Sequence, residues 1–417
     1  MKRFLFLITA LLIASLCSCA TTQAPSPTDN TPAENKMETD PKESVTGETA
    51  VWQDPGNVVI MWEYTDGYEY EVLRSSSPDG EFLSIGTSDS GSFRDSDVSF
   101  PNTYFYKIQS CNKRSRKIYT SHSFEAVTDP DKLSLVSVIM YHNFVTEEDV
   151  DSGIEFDEYS ITPEAFEEDL VWLKENGYTT ITSDELLSIL EEKSDIPEKA
   201  VILSIDDGSL GVYTNAWPLL KKHGMKADFN VIGAQIDATW DSLSNGGTRD
   251  GQSAPYCTWE ELCEMSESGE INICSHTYGL HVYDKENRVG MSMKENEDAE
   301  SFASAVKNDY DLSVKCIEGW TGKKPTTVAY PYSKRSDMSD KIIFESTGYK
   351  ILMAGADARG TAGNYFVKGC DISSQLMLMS RPCRMDGTPI RVYLENIVAK
   401  DAKNGVNINN QTGESRK

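Results

Sequence analysis

The 417-residue sequence predicts an α/β fold, a parallel sheet or barrel, preceded by a small all-β sandwich. Three observations predict it. From residue 50 to 129, short period-two segments alternate with turn residues. From about 133 onward, apolar runs alternate with helical patterns, as in parallel strands joined by crossover helices. Two polar turns, Asp206-Asp207-Gly208 and His276 to His281, each follow an apolar run directly, where such folds build their sites.

The chain begins with Lys2 and Arg3 and then an apolar run from Phe4 to Leu16. A positive start followed by such a run reads as a secretion signal over 1–18. The run is shorter than the roughly 20 residues a membrane-spanning helix needs. It ends in Leu16-Cys17-Ser18-Cys19, which resembles the bacterial lipoprotein box, with Cys19 as the residue to be lipidated. Residues 19–49 are rich in Thr, Pro, Ser, Asn, Glu and Lys and hold too little apolar surface to fold, so they are expected to be a disordered tether. The tail, 401–417, is expected to be disordered as well. These segments predict a protein outside the cytoplasm, attached to the bacterial membrane through the lipid alone.

In the sandwich, over 50–129, Val58 to Trp62 is a strand candidate and Tyr68 to Leu73 alternates with period two. Ser77-Pro78-Asp79-Gly80 has turn chemistry, and strand candidates Phe82 to Ile85 and Tyr104 to Ile108 follow. The order of "YEVLRS", "SPDGEF", "SFRDSDV" and "YFYKI" resembles a fibronectin type III domain. It holds no cluster of chemistry-bearing residues, which favours a spacer over a sugar-binding module.

The larger domain is expected over 133–400. Leu135 to Tyr141 is apolar enough for a buried strand. Thr162-Pro163 starts a helix with Phe166, Leu170 and Leu173 on one face, ended by Gly177. Thr182-Ser183-Asp184-Glu185 is a capping box for a second helix over 186–192. Ala200 to Ile205 is a strand, Ala216 to Lys222 a short helix closed by Gly224. Further strands are expected at Asp228 to Ile232, Ile271 to Cys274, Thr327 to Tyr330 and Tyr349 to Met353.

With 66 acidic and 39 basic residues the net charge is -27, which repels phosphate backbones and excludes nucleic acid as a partner class. Nine cysteines are present. Cys17 and Cys19 belong to the signal, and the remaining seven have no metal-type spacing and read as apolar thiols.

The chemistry concentrates in three places. Asp206 and Asp207 are adjacent carboxylates that raise each other's proton affinity, a conflict that a cation between them relieves. Alone, Asp-Asp-Gly is equally a surface turn. His276 and His281 are two of only five histidines, and their i, i+5 spacing suits a loop wrapped round one point rather than a helix face. Imidazole is the commonest transition-metal ligand, and with one carboxylate it makes a His-His-Asp set. Ala329-Tyr330-Pro331-Tyr332 ends a strand with a Pro that stiffens the backbone amides beside it. His223, after Lys221 and Lys222 at a helix end, reads as a charge on the helix dipole. His122 has no partner legible in the sequence. Trp240 and Tyr278 are candidates for stacking on sugar rings, with core or loop packing as the competing role.

The ordered set "MYHNF", "ITPEAFEEDLVWLKENGY", "KAVILSIDDGS", "DFNVIG", "INICSHTYGLH" and "VAYPYSK" resembles the polysaccharide deacetylase family, the nodulation-type carbohydrate esterases. The likeness runs from about Leu135 to Met353 and more weakly to Asp386, and is greatest to the branch acting on poly-N-acetylglucosamine. It implies a distorted (β/α) barrel and a metal-dependent hydrolase that removes N-acetyl groups from an extracellular or cell-surface polysaccharide. By that resemblance Asp207, His276 and His281 bind a divalent metal, and Asp206 is the general base toward water. A backbone N–H near Pro331 and Tyr332 helps to hold the oxyanion. The chain departs from the family twice. No histidine follows His281 to serve as general acid, so His142 in "MYHNF" is the candidate, as in the poly-N-acetylglucosamine branch. Ala329 stands where many relatives carry an Arg that orients the base, and Arg381 is expected to supply that group from a later strand. Zinc suits the ligand set, with cobalt, nickel or iron as alternatives. Two competing functions remain: a non-catalytic glycan-binding surface lipoprotein, and an O-acetyl esterase acting on a polysaccharide such as xylan.

Overall fold

The computed structural model describes residues 51–403, apart from 55–56, 63–64, 66, 89–90, 99–102, 128–132, 193, 359–361 and 368–376. The signal segment 1–18, Cys19, the tether 19–49, Cys370 and residues beyond 403 lie outside the described residues.

The N-terminal part is all antiparallel strands: β1 (Val51–Asp54), β2 (Asn57–Met61), β3 (Tyr68–Ser75), β4 (Leu83–Ser88), β5 (Ser92–Asp95), β6 (Thr103–Asn112), β7 (Ile118–Thr120) and β8 (Phe124–Val127). One sheet runs β1-β2-β5; the other runs β4-β3-β6-β7, with β8 also on β6. Period-two alternation turns Tyr68, Tyr70 and Val72 of β3 to the same side, where they meet Val58 and Ile60 of β2 and Tyr106 and Ile108 of β6. One apolar layer between two sheets is the arrangement expected from the sequence.

Next come β9 (Leu133–Tyr141), β10 (Asn143–Phe144), α1 (Glu147–Asp151), β11 (Ser160–Ile161), α2 (Pro163–Glu175), β12 (Thr179–Thr180), α3 (Ser183–Glu191) and β13 (Ala200–Ile205). They are followed by α4 (Trp217–His223), β14 (Ala227–Val231), α5 (Gly233–Ser244), α6 (Trp259–Ser268), β15 (Ile271–Ser275), β16 (Tyr283–Asp284) and β17 (Arg288–Val289). The chain continues with α7 (Ala299–Thr321), β18 (Thr327–Ala329), α8 (Asp337–Ser346), β19 (Ile351–Met353), β20 (Asn364–Val367), β21 (Met377–Met379) and α9 (Ile390–Lys403).

The main sheet has the order β20-β9-β13-β14-β15-β18-β19-β21, parallel except for β20. Beyond β21 the chain returns to β9: the Met140 N–H donates to Pro382 O at 2.9 Å and the Arg384 N–H donates to Met140 O at 2.8 Å. That contact joins the β21 end of the sheet back to β9 and makes the sheet barrel-like.

Strand β13 is buried along its whole length because it has packing on both faces. Val201, Leu203 and Ile205 join the layer under α2 and α4. Ala200 and Ile202 point the other way, with Val138, Ile351, Met353 and Met379. Continuing that parity puts Ser204 and then Asp206 on the inner face, so the alternation that builds the core also aims the first carboxylate. Helix α2 starts where expected, with the Thr162 hydroxyl accepting from the Ala165 N–H, and α3 has its full capping box. Each such cap contributes about 1 kcal/mol.

Helix α9 ends at Lys403, beyond the expected limit of the domain at residue 400. The reason is Asp401, which is buried and accepts from the Ala362 and Gly363 N–H groups and the Tyr365 hydroxyl. Long α7 and the helices α5, α6, α8 and α9 were not read from the sequence. Among the described residues no helix is long and apolar enough to cross a membrane.

Candidate active site

The predicted residues lie on the C-terminal rim of the parallel strands. His142 follows β9, Asp206 and Asp207 follow β13, His276 follows β15, Pro331 and Tyr332 follow β18, and Arg381 follows β21. Cys19 lies outside the described residues.

His276 Nε2 and His281 Nε2 stand 3.5 Å and 3.4 Å from Asp207 Oδ1. These spans are too long for good hydrogen bonds. They match the separation of about 3.3 Å between two donor atoms on one tetrahedral ion with bonds near 2.0–2.1 Å. The other ring nitrogens are engaged: His276 Nδ1 lies 2.9 Å from the Ala329 carbonyl and His281 Nδ1 3.0 Å from the Tyr332 hydroxyl. A carbonyl can only accept, so His276 carries its proton on Nδ1 and turns the lone pair of Nε2 toward Asp207. Burial pushes His276 down to about 3, against the pull of Asp206, so the ring is neutral, the form that ligates. His281 is shifted down for the same reason. The donor set therefore fits a divalent ion, and Asp207, His276 and His281 are the group with the required spacing among the described residues.

Asp206 plays a different part. Arg381 Nη1 donates to its Oδ1 at 2.6 Å, and Asn230 Nδ2 donates to the same oxygen at 2.8 Å. Arg381 is 1% exposed and Asp206 2% exposed, so this is a fully buried ion pair. The Arg381 Nη1 also donates to Ser204 Oγ and its Nε to Ala354 O, both at 3.0 Å. Burial by itself would push the Asp206 carboxyl up. The charge of Arg381, together with its hydrogen bond, outweighs burial and holds it well below the usual carboxylate range. Among the described residues Asp207 has no Arg or Lys pair, and burial pushes it up to about 6. Adjacent carboxylates have thus been driven apart by their surroundings.

Arg381→Met should therefore destabilise the fold by about 3–5 kcal/mol, because it strands a buried carboxylate. For a depressed carboxyl the stabilisation is present above its unfolded value of about 3.9 and is lost as pH falls through the folded value. The gap between wild type and variant should accordingly be widest at neutral pH and narrow below about pH 4. Denaturant midpoints measured at pH 7 and at acid pH check this; equal midpoints at pH 7 would refute the role of the pair.

His142 makes no direct contact with the carboxylates. Its Nδ1 lies 3.6 Å from Cys383 Sγ and its ring packs against Tyr159 at 5.0 Å between centroids. It lies close enough to interact electrostatically with both Asp206 and Asp207. Tyr332 holds an exposed ring against His281 at 4.6 Å and against Tyr283 at 5.2 Å.

The backbone here is under strain. Asp207 (φ 78°), Thr277 (φ 72°), Tyr332 (φ 56°) and Ser333 (φ 55°) are all left-handed without being glycine. Such residues cost about 1–3 kcal/mol each and persist where their surroundings over-determine them.

Sequence reading assigned no role to Asn230 or Ser204, although both lie on the inner parity of buried strands. It also missed Tyr159 and Tyr283, which no local pattern marks. Trp240 and Tyr278 are engaged in packing instead of facing the site. The Trp240 Nε1–H donates to Glu260 and its ring meets Trp320, while the Tyr278 hydroxyl donates to Asp237 Oδ2 at 2.8 Å. His223 lies 2.8 Å from Glu167, as a side-chain contact at the helix end. Six cysteines, Cys111, Cys257, Cys263, Cys274, Cys316 and Cys383, are free thiols.

Fold and site together define a class: α/β barrel-like proteins that present a His-His-carboxylate ligand set beside a second, ion-paired carboxylate at the strand C-termini. Residues 193–352 match the family model described as polysaccharide deacetylase. It is 28% identical over 131 residues to the poly-beta-1,6-N-acetyl-D-glucosamine N-deacetylase of Escherichia coli K12, covering 31% of this chain and 20% of that protein. It is 28% identical over 200 residues to the enzyme of the same name from Staphylococcus aureus MSSA476, covering 48% of this chain and 62% of that protein. In both cases the match spans less than two thirds of the relative. A solved de-N-acetylase from Aggregatibacter actinomycetemcomitans superposes with a TM-score of 0.49 at 22% identity, over 62% of this chain and 100% of that one.

Proposed function

We propose that the protein is a metal-dependent hydrolase that removes N-acetyl groups from an extracytoplasmic polymer of N-acetylglucosamine. The observation that carries this is the pairing of an ion-binding triad with a separate buried carboxylate, Asp206, held ionised by Arg381. The relatives named as poly-N-acetylglucosamine deacetylases support the choice of substrate.

Asp207, His276 and His281 would hold the cation, with zinc best suited to two imidazoles and a carboxylate. When bound, the cation supplies Lewis acidity, polarising a carbonyl and making water acidic near neutral pH. Asp206 then receives the proton from the attacking water. A carboxylate held this low stays ionised, so Asp206 is in the form that accepts a proton. Arg381 and Asn230 keep one oxygen of Asp206 engaged and leave Oδ2 toward the site, 3.8 Å from His276 Nε2. The stiffened turn at Pro331 and Tyr332 offers a backbone N–H to the developing oxyanion. His142 protonates the leaving amine. Tyr159, Tyr283 and Tyr332, exposed beside the histidines, give the sugar rings flat surfaces to rest on.

The signal, a lipid on Cys19 and the tether would hold the enzyme at the outer side of the membrane. The fibronectin type III-like sandwich would serve as a spacer.

Acetate release from poly-β-1,6-N-acetylglucosamine, an N-acetylglucosamine oligomer from peptidoglycan glycan and O-acetylated xylan tests the reading. We expect acetate from an N-acetylated polymer. Acetate from xylan alone would make the protein an O-acetyl esterase, and glycan binding without any acetate would make it a binding protein.

A further inference from the structure

The loop that carries both histidines is gripped by a helix the reaction does not use. Asp309 lies in the middle of α7, buried. Its Oδ1 accepts from the Tyr278 N–H at 2.8 Å, and its Oδ2 accepts from Gly279 at 2.7 Å and Leu280 at 3.1 Å. Three successive amides between His276 and His281 thus converge on one carboxylate, as they do on an anion bound in a backbone nest. One turn further along α7, the Ser313 hydroxyl donates to Ser275 Oγ at 2.9 Å, and that oxygen accepts from the Thr277 N–H at 3.0 Å. From the opposite side, the Gly233 and Ala234 N–H groups at the start of α5 donate to the carbonyls of Thr277 and Tyr278 at 3.1 Å and 2.9 Å. The left-handed Thr277 sits between these two grips.

We propose that Asp309 is a positioning residue that presets the His276–His281 loop for the ion, an inference that rests on reading those histidines as ligands. An isolated six-residue loop samples many arrangements, and only a few put two Nε2 atoms near Asp207 Oδ1. Asp309 removes that freedom before the ion arrives, so the ordering of the loop does not weaken binding. The side chain never meets substrate or ion, and its effect passes entirely through three peptide groups.

The test compares metal-free wild type, Asp309→Asn and Asp311→Asn for Zn²⁺ affinity, by competition with a chromophoric chelator. Asn keeps the shape but turns an NH₂ group toward amides that themselves donate. Support of this kind for metal ligands is typically worth 10–100-fold in affinity, and Asp309→Asn should weaken binding by about that factor. Asp311, exposed on the same helix and paired with Lys307, is the control and should bind as wild type does. Hydrogen exchange on metal-free wild type gives a second readout: the amides of Tyr278, Gly279 and Leu280 should be slow. A folded Asp309→Asn that binds Zn²⁺ as tightly as wild type overturns the proposal. So does rapid exchange at those three amides, whether or not the variant folds. Wild type that takes up no ion would instead sink the ligand assignment on which the proposal stands.

Discussion

Asp206→Asn is expected to lower the rate of acetate release by about 10²–10⁴-fold while the divalent ion stays bound. The substitution keeps the shape of the side chain and removes its ability to take a proton. Asp206 is not in the ligand triad, so metal content should not change. The variant also strands the Arg381 guanidinium, 1% exposed, opposite a neutral amide, and a lower melting temperature should accompany the loss of rate. Rate, metal content and melting temperature taken from one preparation separate these effects. Normal turnover in a folded, metal-loaded variant would remove Asp206 from the mechanism. Loss of metal together with loss of rate would make it a ligand.

The second large effect concerns the ion. Dialysis against a chelator, or His276→Ala, should lower activity by at least about 10³-fold, since Lewis-acid assistance is worth several kcal/mol. Added zinc should restore the dialysed enzyme and leave His276→Ala inactive. Affinity for the ion should also depend on pH in a particular window. Burial pushes Asp207 up to about 6 in the metal-free protein. The carboxylate must be deprotonated to bind, so below about pH 6 protons compete and affinity should fall with each further unit of acid. Above that value Asp207 should add no further pH dependence. Titrations with Zn²⁺ at several pH values would show the break, and a flat profile between pH 5 and 7 would contradict the raised Asp207.

The elements legible in the sequence are those whose signals are local. The Thr162 and Thr182 caps, the buried run Ala200 to Ile205 and the turn at Gly224 could be read because a hydroxyl, an apolar run or a left-handed Gly acts on its immediate neighbours. Helix α7 was missed although it is 23 residues long. Its buried residues include Asp309 and Ser313, which break the apolar stripe that marks a helix face. That the folded domain runs past residue 400 was missed for a similar reason, since Asp401 reads as a surface charge until Ala362, Gly363 and Tyr365 are beside it.

By itself the sequence singled out the candidate site residues: two adjacent carboxylates after a buried strand, and two histidines five apart after another. Strand parity follows from covalent geometry, so even the inward aim of Asp206 is implicit in the run Ala200, Ile202, Ser204. Only the tertiary structure decided that the two carboxylates differ. Arg381, 175 positions away and just beyond β21, arrives to hold one of them ionised with a direct ion pair. Only the tertiary structure put Asp309 under the histidine loop. Electrostatic and hydrogen-bond partners are chosen by closeness in space, and the crossover of each helix over the sheet makes neighbours of residues that the chain keeps far apart.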